Sequence, residues 1–494
     1  MILTCAEMKA LEERAFADGI TAEDLMEEAG EKISRAVRQF SPGRGRCIVF
    51  FGKGHNGGDA LVAARYLALA GWQIELRPAF AEGEWAELTA RMHRKLSAVL
   101  ERLESSFGSA RPLVVLDGLL GIGTGGSLRS PIRDAAREIN RLRVEANPSV
   151  FALDLPTGLD GSTGAASPDT VVADFTLAIG CAKTGLLADG AANFVGRLAV
   201  LPLEELSKRF ATAGSAHVAT AGSLAGLLPR RRFDLHKGDC GRVGIVAGSP
   251  GFTGAAVMAA DACVHAGAGL VTLYVSPEAH PLIAARVTSE VMVKSVLTCV
   301  EAPDAGHDVL AIGPGLGTER REEILALIER ASQPLIVDAD ALNVLATHIE
   351  SLDSCSGPRL LTPHPGEMAR LFPESKALPR REIVRQFNAR FPAALFLKGA
   401  RSLVGQATLP LSYNTTGTPG MATGGMGDVL TGVLAALAAQ GLALYDAARL
   451  GAWLCGRAAE CAIAHGRESE ESLSATHVIA RLGEAFGDLR AGAF

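Results

Sequence analysis

Two tandem α/β domains are what this sequence predicts, and three observations carry that prediction. Short apolar runs alternate with segments of helical periodicity along most of the 494 residues, the pattern of a largely parallel sheet covered by helices. Each early run ends at Gly or Asp, where open α/β sheets place their chemistry. Between about residues 208 and 232 the pattern lapses into Ala, Gly, Ser and Leu, ends in Arg230-Arg231-Arg232, and then restarts. The junction is therefore placed near 212–225, giving domains 1–212 and 220–494. The length suits about two or three domains, each with its own core.

In chain order, two helices are expected at 6–17 and 22–40, the second N-capped by Thr21. Strands follow at Cys47-Ile48-Val49-Phe50-Phe51, 113–116, 150–153 and 175–179. The second series places strands at 243–247, 270–274, 309–312, 335–337, 359–361, 395–397 and 402–404. No fixed-period repeat is visible, and the halves do not resemble each other. The most apolar stretch, 429–444, carries Gln440 and small residues and starts beside Asp428. It reads as a buried helix rather than a membrane span.

Composition narrows the function classes. With 48% hydrophobic residues, 21% charged residues and a net charge of −6, the chain reads as a soluble globular protein without the basic footprint of a nucleic-acid or anionic-membrane binder. The arginine triplet is read as a solvated turn. Nine cysteines, odd in number and never spaced C-x-x-C, argue against a disulfide framework and a zinc site. The N-terminus lacks a basic segment followed by an apolar one, so no signal peptide is expected and the cytoplasm is.

The stretch Pro419-Gly420-Met421-Ala422-Thr423-Gly424-Gly425-Met426-Gly427-Asp428-Val429-Leu430 packs glycines before one carboxylate and an apolar helix. Glycines let backbone N–H groups crowd an anion, and a helix start adds the positive end of its dipole. Asp428 beside bound phosphate would serve to take a proton from a hydroxyl. The same residues suit a glycine turn with Asp428 as an ordinary N-cap, and the loop alone leaves both readings open.

In the first domain, Gly52-Lys53-Gly54-His55-Asn56-Gly57-Gly58-Asp59 runs from a strand towards an apolar helix at 60–69. It has neither the ending of a nucleotide P-loop nor the dinucleotide spacing. Two further loops, Asp117 to Ser127 and Asp154 to Gly161, also follow strands. Converging on one sheet edge, Asn56, Asp117 and Thr157 offer oxygen ligands of the kind a hard cation prefers. Together the three loops resemble the NAD(P)H-hydrate epimerase domain over about residues 1–210. That resemblance implies a Rossmann-like sandwich in which Asn56, Asp117 and Thr157 hold K⁺. It also implies that His55, Asn56, Gly57, Gly58 and Asp59, with Gly121, Ile122, Gly123, Thr124, Gly125, Gly126 and Ser127, bind the hydrated dinucleotide, and that Asp154 is the acid/base. His55 and Ala60 stand where Asn and Gly are frequent in the family, so contacts at the loop edge are expected to differ.

The second domain sets His236-Lys237-Gly238-Asp239, the Gly313-Pro314-Gly315-Leu316-Gly317 loop, Asp338 to Asn343, Leu361-Thr362-Pro363-His364-Pro365-Gly366-Glu367 and Lys398-Gly399-Ala400-Arg401-Ser402 before the opening glycine stretch. Singly, His364 is a turn residue, Asp338 an N-cap and Lys398 a surface charge. Jointly they suit a ribokinase-like phosphoryl-transfer fold. The ordered set resembles the ADP-dependent NAD(P)H-hydrate dehydratase over about 220–490. It implies substrate contacts from Ala255, Gly317, His364 and Asp428, ADP contacts from Lys398, Gly399, Ala400, Arg401, Ser402 and Gly427, and a Mg²⁺ on the phosphates. Met426 stands where some relatives carry Ser, and the backbone N–H survives either.

The resemblance thus implies a bifunctional enzyme that interconverts the R and S hydrates of NADH and NADPH. It would dehydrate the S form, with release of AMP and phosphate from ADP. A homo-oligomer without nucleic-acid or membrane partners is expected. The rival is a ribokinase-like kinase of a vitamin precursor with a non-catalytic N-terminal binding domain.

Overall fold

The computed structural model describes residues 1–103, 111–122, 126–209, 214–302 and 306–494. The chain divides into two compact units, Met1–Gly214 with Phe494, and Ser215–Ala493. The first unit contains β1 (Ile2–Leu3), β2 (Arg46–Phe51), β3 (Gln73–Pro78), β4 (Leu113–Gly118), β5 (Ser149–Leu153), β6 (Phe175–Ile179), β7 (Ala182–Lys183) and β8 (Arg197–Leu201). Among the described residues, six of these form a sheet in the order β3-β2-β4-β5-β6-β8, every pair parallel. β1 pairs separately with β7, setting Leu3 opposite Lys183.

The four expected strands and both N-terminal helices, Cys5–Ala17 and Ala22–Phe40, are present. Thr21 caps the second as expected, accepting from the Asp24 N–H at 3.1 Å. β3 was not foreseen because it lies at the sheet edge and none of its residues is buried, so no continuous apolar run marks it. The helix expected at 60–69 begins earlier, at His55. Residues His55–Asp59, expected in a loop, are therefore its first turn. Gly57 and Gly58 serve close packing there. A Cβ on Gly57 would sit 2.1 Å from the Gly52 carbonyl oxygen, and one on Gly58 would sit 2.5 Å from Met26.

The second unit contains β9 (Ala216–Val218), β10 (Arg242–Val246), β11 (Leu270–Val275), β12 (Val291–Ser295), β13 (Val309–Ile312), β14 (Leu335–Val337), β15 (Arg359–Leu361), β16 (Ala394–Leu397), β17 (Leu403–Gly405) and β18 (Leu411–Tyr413). The sheet order is β12-β11-β10-β13-β14-β15-β16-β17-β18-β9. It is parallel from β12 to β16, antiparallel through β17 and β18, and parallel again at β9. All seven expected strands are there; β9, β12 and β18 are additional. β9 comes from the low-complexity segment read as the junction, where Ala216-His217-Val218 is too short a run to stand out. Residues Val429–Ala438 are buried in the helix Met426–Ala439, and among the described residues no helix is long and apolar enough to cross a membrane.

Strand order locates the sites. In the first unit the chain leaves β2 for β3 on one side and returns as β4 on the other. In the second unit β10 stands in the same relation to β11 and β13. Loops at the carboxyl ends of strands flanking such a reversal splay apart and leave a crevice.

Candidate functional sites

In the second unit the crevice opens between the loops after β10 and β13. A Cβ on Gly315 would lie 3.0 Å from that of Ala255, so the β13 loop meets the start of the helix Thr253–His265. The Gly317 N–H donates to Asp340 Oδ2 at 2.8 Å. Asp338 follows β14 at the N-cap position of the helix Ala339–Leu345 but does not cap it. Buried to 1% exposure, its carboxylate instead accepts from Thr362 Oγ1 at 2.8 Å, Thr431 Oγ1 at 2.8 Å and Lys398 Nζ at 2.5 Å. Three donors, one of them cationic, compensate the cost of burying that charge.

Lys398 ends β16 and faces the start of the helix Met426–Ala439. A Cβ on Gly427 would sit 3.2 Å from its Nζ. Gly425 caps this helix with φ of 88°, a left-handed conformation natural to glycine. Asp428 lies in the first turn, half-buried, and accepts no hydrogen bond from the described residues. Burial, then the charges of Asp338 and Asp340, push its carboxyl up to about 6 against the opposing pull of Lys398. The ordinary N-cap reading therefore fails: Asp428 is two residues inside the helix and spends its oxygens on no cap.

The Lys398–Ser402 segment is shaped from outside. The Arg380 guanidinium donates to the carbonyls of Leu397 at 3.3 Å, Lys398 at 3.1 Å and Arg401 at 2.9 Å. Gly399 and Ala400 stand exposed, Arg401 is buried, and Ser402 Oγ donates to the Gly399 carbonyl at 3.2 Å. His364 caps the helix Pro365–Leu371, its Nδ1 accepting from the Gly366 N–H at 2.9 Å and the Glu367 N–H at 3.3 Å. Glu367 is buried, and desolvation raises its carboxyl although Lys398 opposes the shift.

In the first unit Asp154 follows β5 with φ of 66°. Its Oδ1 accepts from the Ile179 N–H at 3.1 Å and from Lys183. Lys183 is 1% exposed and also donates to the Ile179 carbonyl at 2.8 Å. Burial would lower its ammonium, yet the charge of Asp154 carries it above its ordinary value. Asp59, on the first turns of the helix His55–Leu69, is pushed well up by burial and then by Asp154 and Glu12. Glu12 itself is raised to about 7, by burial first and Asp154 second.

Beside this cluster, Asp117 at the end of β4 accepts from the Thr157 N–H at 2.8 Å, Thr157 Oγ1 at 2.7 Å and the Leu119 N–H at 3.3 Å. Burial raises it to about 6 although the Thr157 hydrogen bonds oppose the shift. Both polar atoms of the Asn56 side chain are buried without a protein partner among the described residues. A Cβ on Gly121 would lie 3.5 Å from that side chain, which brings the two loops together. His55 is exposed, Ile122 packs at the core's margin, and Gly126 has φ of 88°. Gly123, Thr124 and Gly125 lie outside the described residues.

Comparison with known proteins gives the family of both regions of the chain. Residues 243–481 match the family model described as NAD(P)H-hydrate dehydratase, and residues 22–185 that described as the YjeF-related protein N-terminus. The bifunctional NAD(P)H-hydrate repair enzyme Nnr of Moorella thermoacetica is 37% identical, aligned over 93% of this chain and 92% of its own length. This chain belongs to the bifunctional NAD(P)H-hydrate repair enzymes. The Escherichia coli K12 repair enzyme is 33% identical over 91% of this chain and 87% of its own length. The solved ADP/ATP-dependent NAD(P)H-hydrate dehydratase from Bacillus subtilis, co-crystallised with ATP and Mg²⁺, is 25% identical, covers 56% of this chain and 100% of its own, and has a TM-score of 0.47. This repair enzyme is a bifunctional NAD(P)H-hydrate dehydratase and epimerase, and the lone-kinase alternative is set aside.

Four residues beside the two candidate sites escape the sequence reading. Glu367 stands there only within a motif, and Arg380 belongs to none. Lys183 follows a buried strand by four residues, and a lysine so near a core strand was a usable signal. Glu12 lies one turn beyond the buried Met8 on a helix whose other buried residues are Leu11 and Ala15. A carboxylate at that spacing faces inward, and the pattern could have exposed it.

Proposed function

We propose that the first unit is the epimerase and the second the dehydratase, and that Asp428 is the base that lets the C6 hydroxyl of the S hydrate be phosphorylated. The observation that carries this reading is a desolvated carboxylate that accepts no hydrogen bond from the described residues, set in the first helical turn beside Lys398. As Asp428 takes the hydroxyl proton, the β-phosphoryl of ADP transfers to that oxygen. N–H groups at Gly424–Gly427 and the Lys398 ammonium stabilise the charge in flight. Phosphate then leaves C6 as the ring nitrogen donates its electrons, and loss of a C5 proton restores NADH or NADPH. The products besides the cofactor are AMP and phosphate.

Mg²⁺ supplies charge neutralisation on the nucleotide's phosphate oxygens, and it favours sites that leave it several waters. Asp338 does not fit that role, since the Lys398 ammonium already neutralises its charge and would repel the ion. Asp340 and Glu367 are the carboxylates that would hold those waters. Gly399, Ala400, Arg401 and Ser402 would present the adenine nucleotide with Gly427, while Ala255, Gly317 and His364 would line the hydrate.

In the first unit, Asp154 takes the C6 hydroxyl proton as the C6–N1 bond opens, and protonated Glu12 or Asp59 supplies one to N1. Rotation about C5–C6 and reclosure on the other face return both protons and invert C6. K⁺ supplies fixed positive charge near the dinucleotide. The oxygens of Asn56, Asp117 and Thr157 would fit it, because the buried Asn56 amide has no partner among the described residues.

The test is to give the full chain a mixture of R and S hydrates with ADP or ATP and follow recovery of the reduced nicotinamide absorbance. Full recovery is expected. Recovery of the S portion alone would remove the epimerase assignment, and a stable phosphorylated product without reduced cofactor would overturn the dehydratase mechanism.

A further inference from the structure

The last two helices of the second unit, Leu444–Ala464 and Ala475–Ala491, pack against each other and bring together four side chains that neither site uses. Cys461 and His465 are one turn apart at the end of the first helix, and Glu484 and Asp488 are one turn apart on the second. Residues at that spacing project from one face. The Cys461 thiol, a His465 ring nitrogen and a Glu484 carboxylate oxygen lie within 4.8 Å of one another. Cys461 Sγ is 3.5 Å from Asp488 Oδ2, and His465 Nδ1 contacts Glu484 Oε1.

We infer that Cys461, His465 and Glu484 form a Zn²⁺ site that ties these two helices together, with water as the fourth ligand and Asp488 beside the thiol. The protein donors are one sulfur, one imidazole nitrogen and one carboxylate oxygen. That set suits a four-coordinate borderline metal and disfavours Mg²⁺ or Ca²⁺, which want oxygen alone. Glu484 is already oriented from behind, as ligands in built sites are: Arg481 donates to its Oε2 at 3.0 Å while Oε1 meets His465. Arg457, almost fully buried, donates to Asp488 Oδ2 at 2.7 Å and to Glu460 Oε2 at 3.0 Å. Charge also balances: the thiolate and the carboxylates of Glu484, Asp488 and Glu460 face a dication and two guanidinium groups. Binding releases the Cys461 proton to solvent, with no change of oxidation state.

The absence of C-x-x-C spacing hid this arrangement from the sequence. An i, i+4 pair on one helix and a carboxylate on the next supply the ligands instead. The site is also joined to the dehydratase centre by one element: a Cβ on Gly425 would lie 3.0 Å from the Cβ of Ala475, the first residue of the helix that carries Glu484 and Asp488.

The test uses the full chain, reduced and stripped with a chelator, then titrated with Co²⁺. One equivalent is expected to produce a sulfur-to-cobalt charge-transfer band that Zn²⁺ abolishes. Cys461→Ser should lose the band, and His465→Gln, at an exposed position, should weaken Co²⁺ binding by at least about tenfold with dehydration intact. No band in the native chain overturns the proposal. So does a band that persists in Cys461→Ser, since it would come from another of the eight thiols, or a band unaffected by His465→Gln.

Discussion

Each unit sets a lysine among carboxylates, fully buried at Lys183 and half-buried at Lys398, and the two sites differ in which carboxylate that lysine holds. In the first unit Lys183 binds Asp154, the proposed base, and among the described residues Asp59 and Glu12 have no cation of their own. In the second, Lys398 binds Asp338, a supporting residue already held by two threonines, and leaves Asp428 outside the pair. The placement of one positive charge thus sets which carboxylates are raised: Asp59 and Glu12 in the first unit, Asp428 in the second. Burial and neighbouring carboxylates raise proton affinity, and a nearby cation opposes that shift.

The comparison breaks first at its catalytic residues. Asp428→Asn should lower dehydration by on the order of 10³-fold and leave epimerisation unchanged; retained dehydration, followed as ADP-dependent cofactor recovery from pure S hydrate, would sink the assignment. Next come the lysines. Lys183→Met strands Asp154 in a buried site and should cost the first unit about 3–5 kcal/mol. Lys398→Met leaves Asp338 with both threonine donors, so the second unit should lose only about 1–3 kcal/mol. Urea unfolding followed separately for each unit checks the order, and equal losses would remove the distinction drawn between the pairs.

The pH profiles sharpen it further. Asp428 must be ionised to act, so kcat for dehydration should fall as pH drops through about 6. Glu12 must be protonated to donate, so epimerisation should fall as pH rises through about 7, and Glu12→Gln should flatten that limb. Profiles that slope the same way would contradict the division of roles. The smallest effect is expected at Gly427→Ala. The added methyl would sit 3.2 Å from Lys398 Nζ and crowd it, raising KM for the nucleotide a few-fold while the fold persists, as steady-state kinetics would show.

Much of this was legible in the residues. Strands such as β2, β4, β10 and β13 are continuous apolar runs because both sheet faces are covered, and their glycine and aspartate endings mark the crevices. Helix starts were not legible. At His55 and Met426 glycines stand inside the first turn for close packing, and glycine there reads as loop. Lys183 and Glu12 reach the first site through the pairing of β1 with β7 and the fold of the N-terminal helix. No local motif announces contacts between residues that distant in sequence. Asp338 shows the converse: its position is an N-cap, but three side-chain donors from β15, β16 and a distant helix decide its role.

Two residues that border the sites, Asp154 with φ of 66° and Ala339 with φ of 48°, hold a backbone shape that costs most side chains about 1–3 kcal/mol. Asp and Asn tolerate it better than other non-glycine residues. Which substitution is chosen at 154 therefore decides what an experiment measures. Asparagine there keeps the shape and removes only the charge. Alanine would strain the turn and misplace the loop, so an alanine scan would count a conformational loss as lost chemistry.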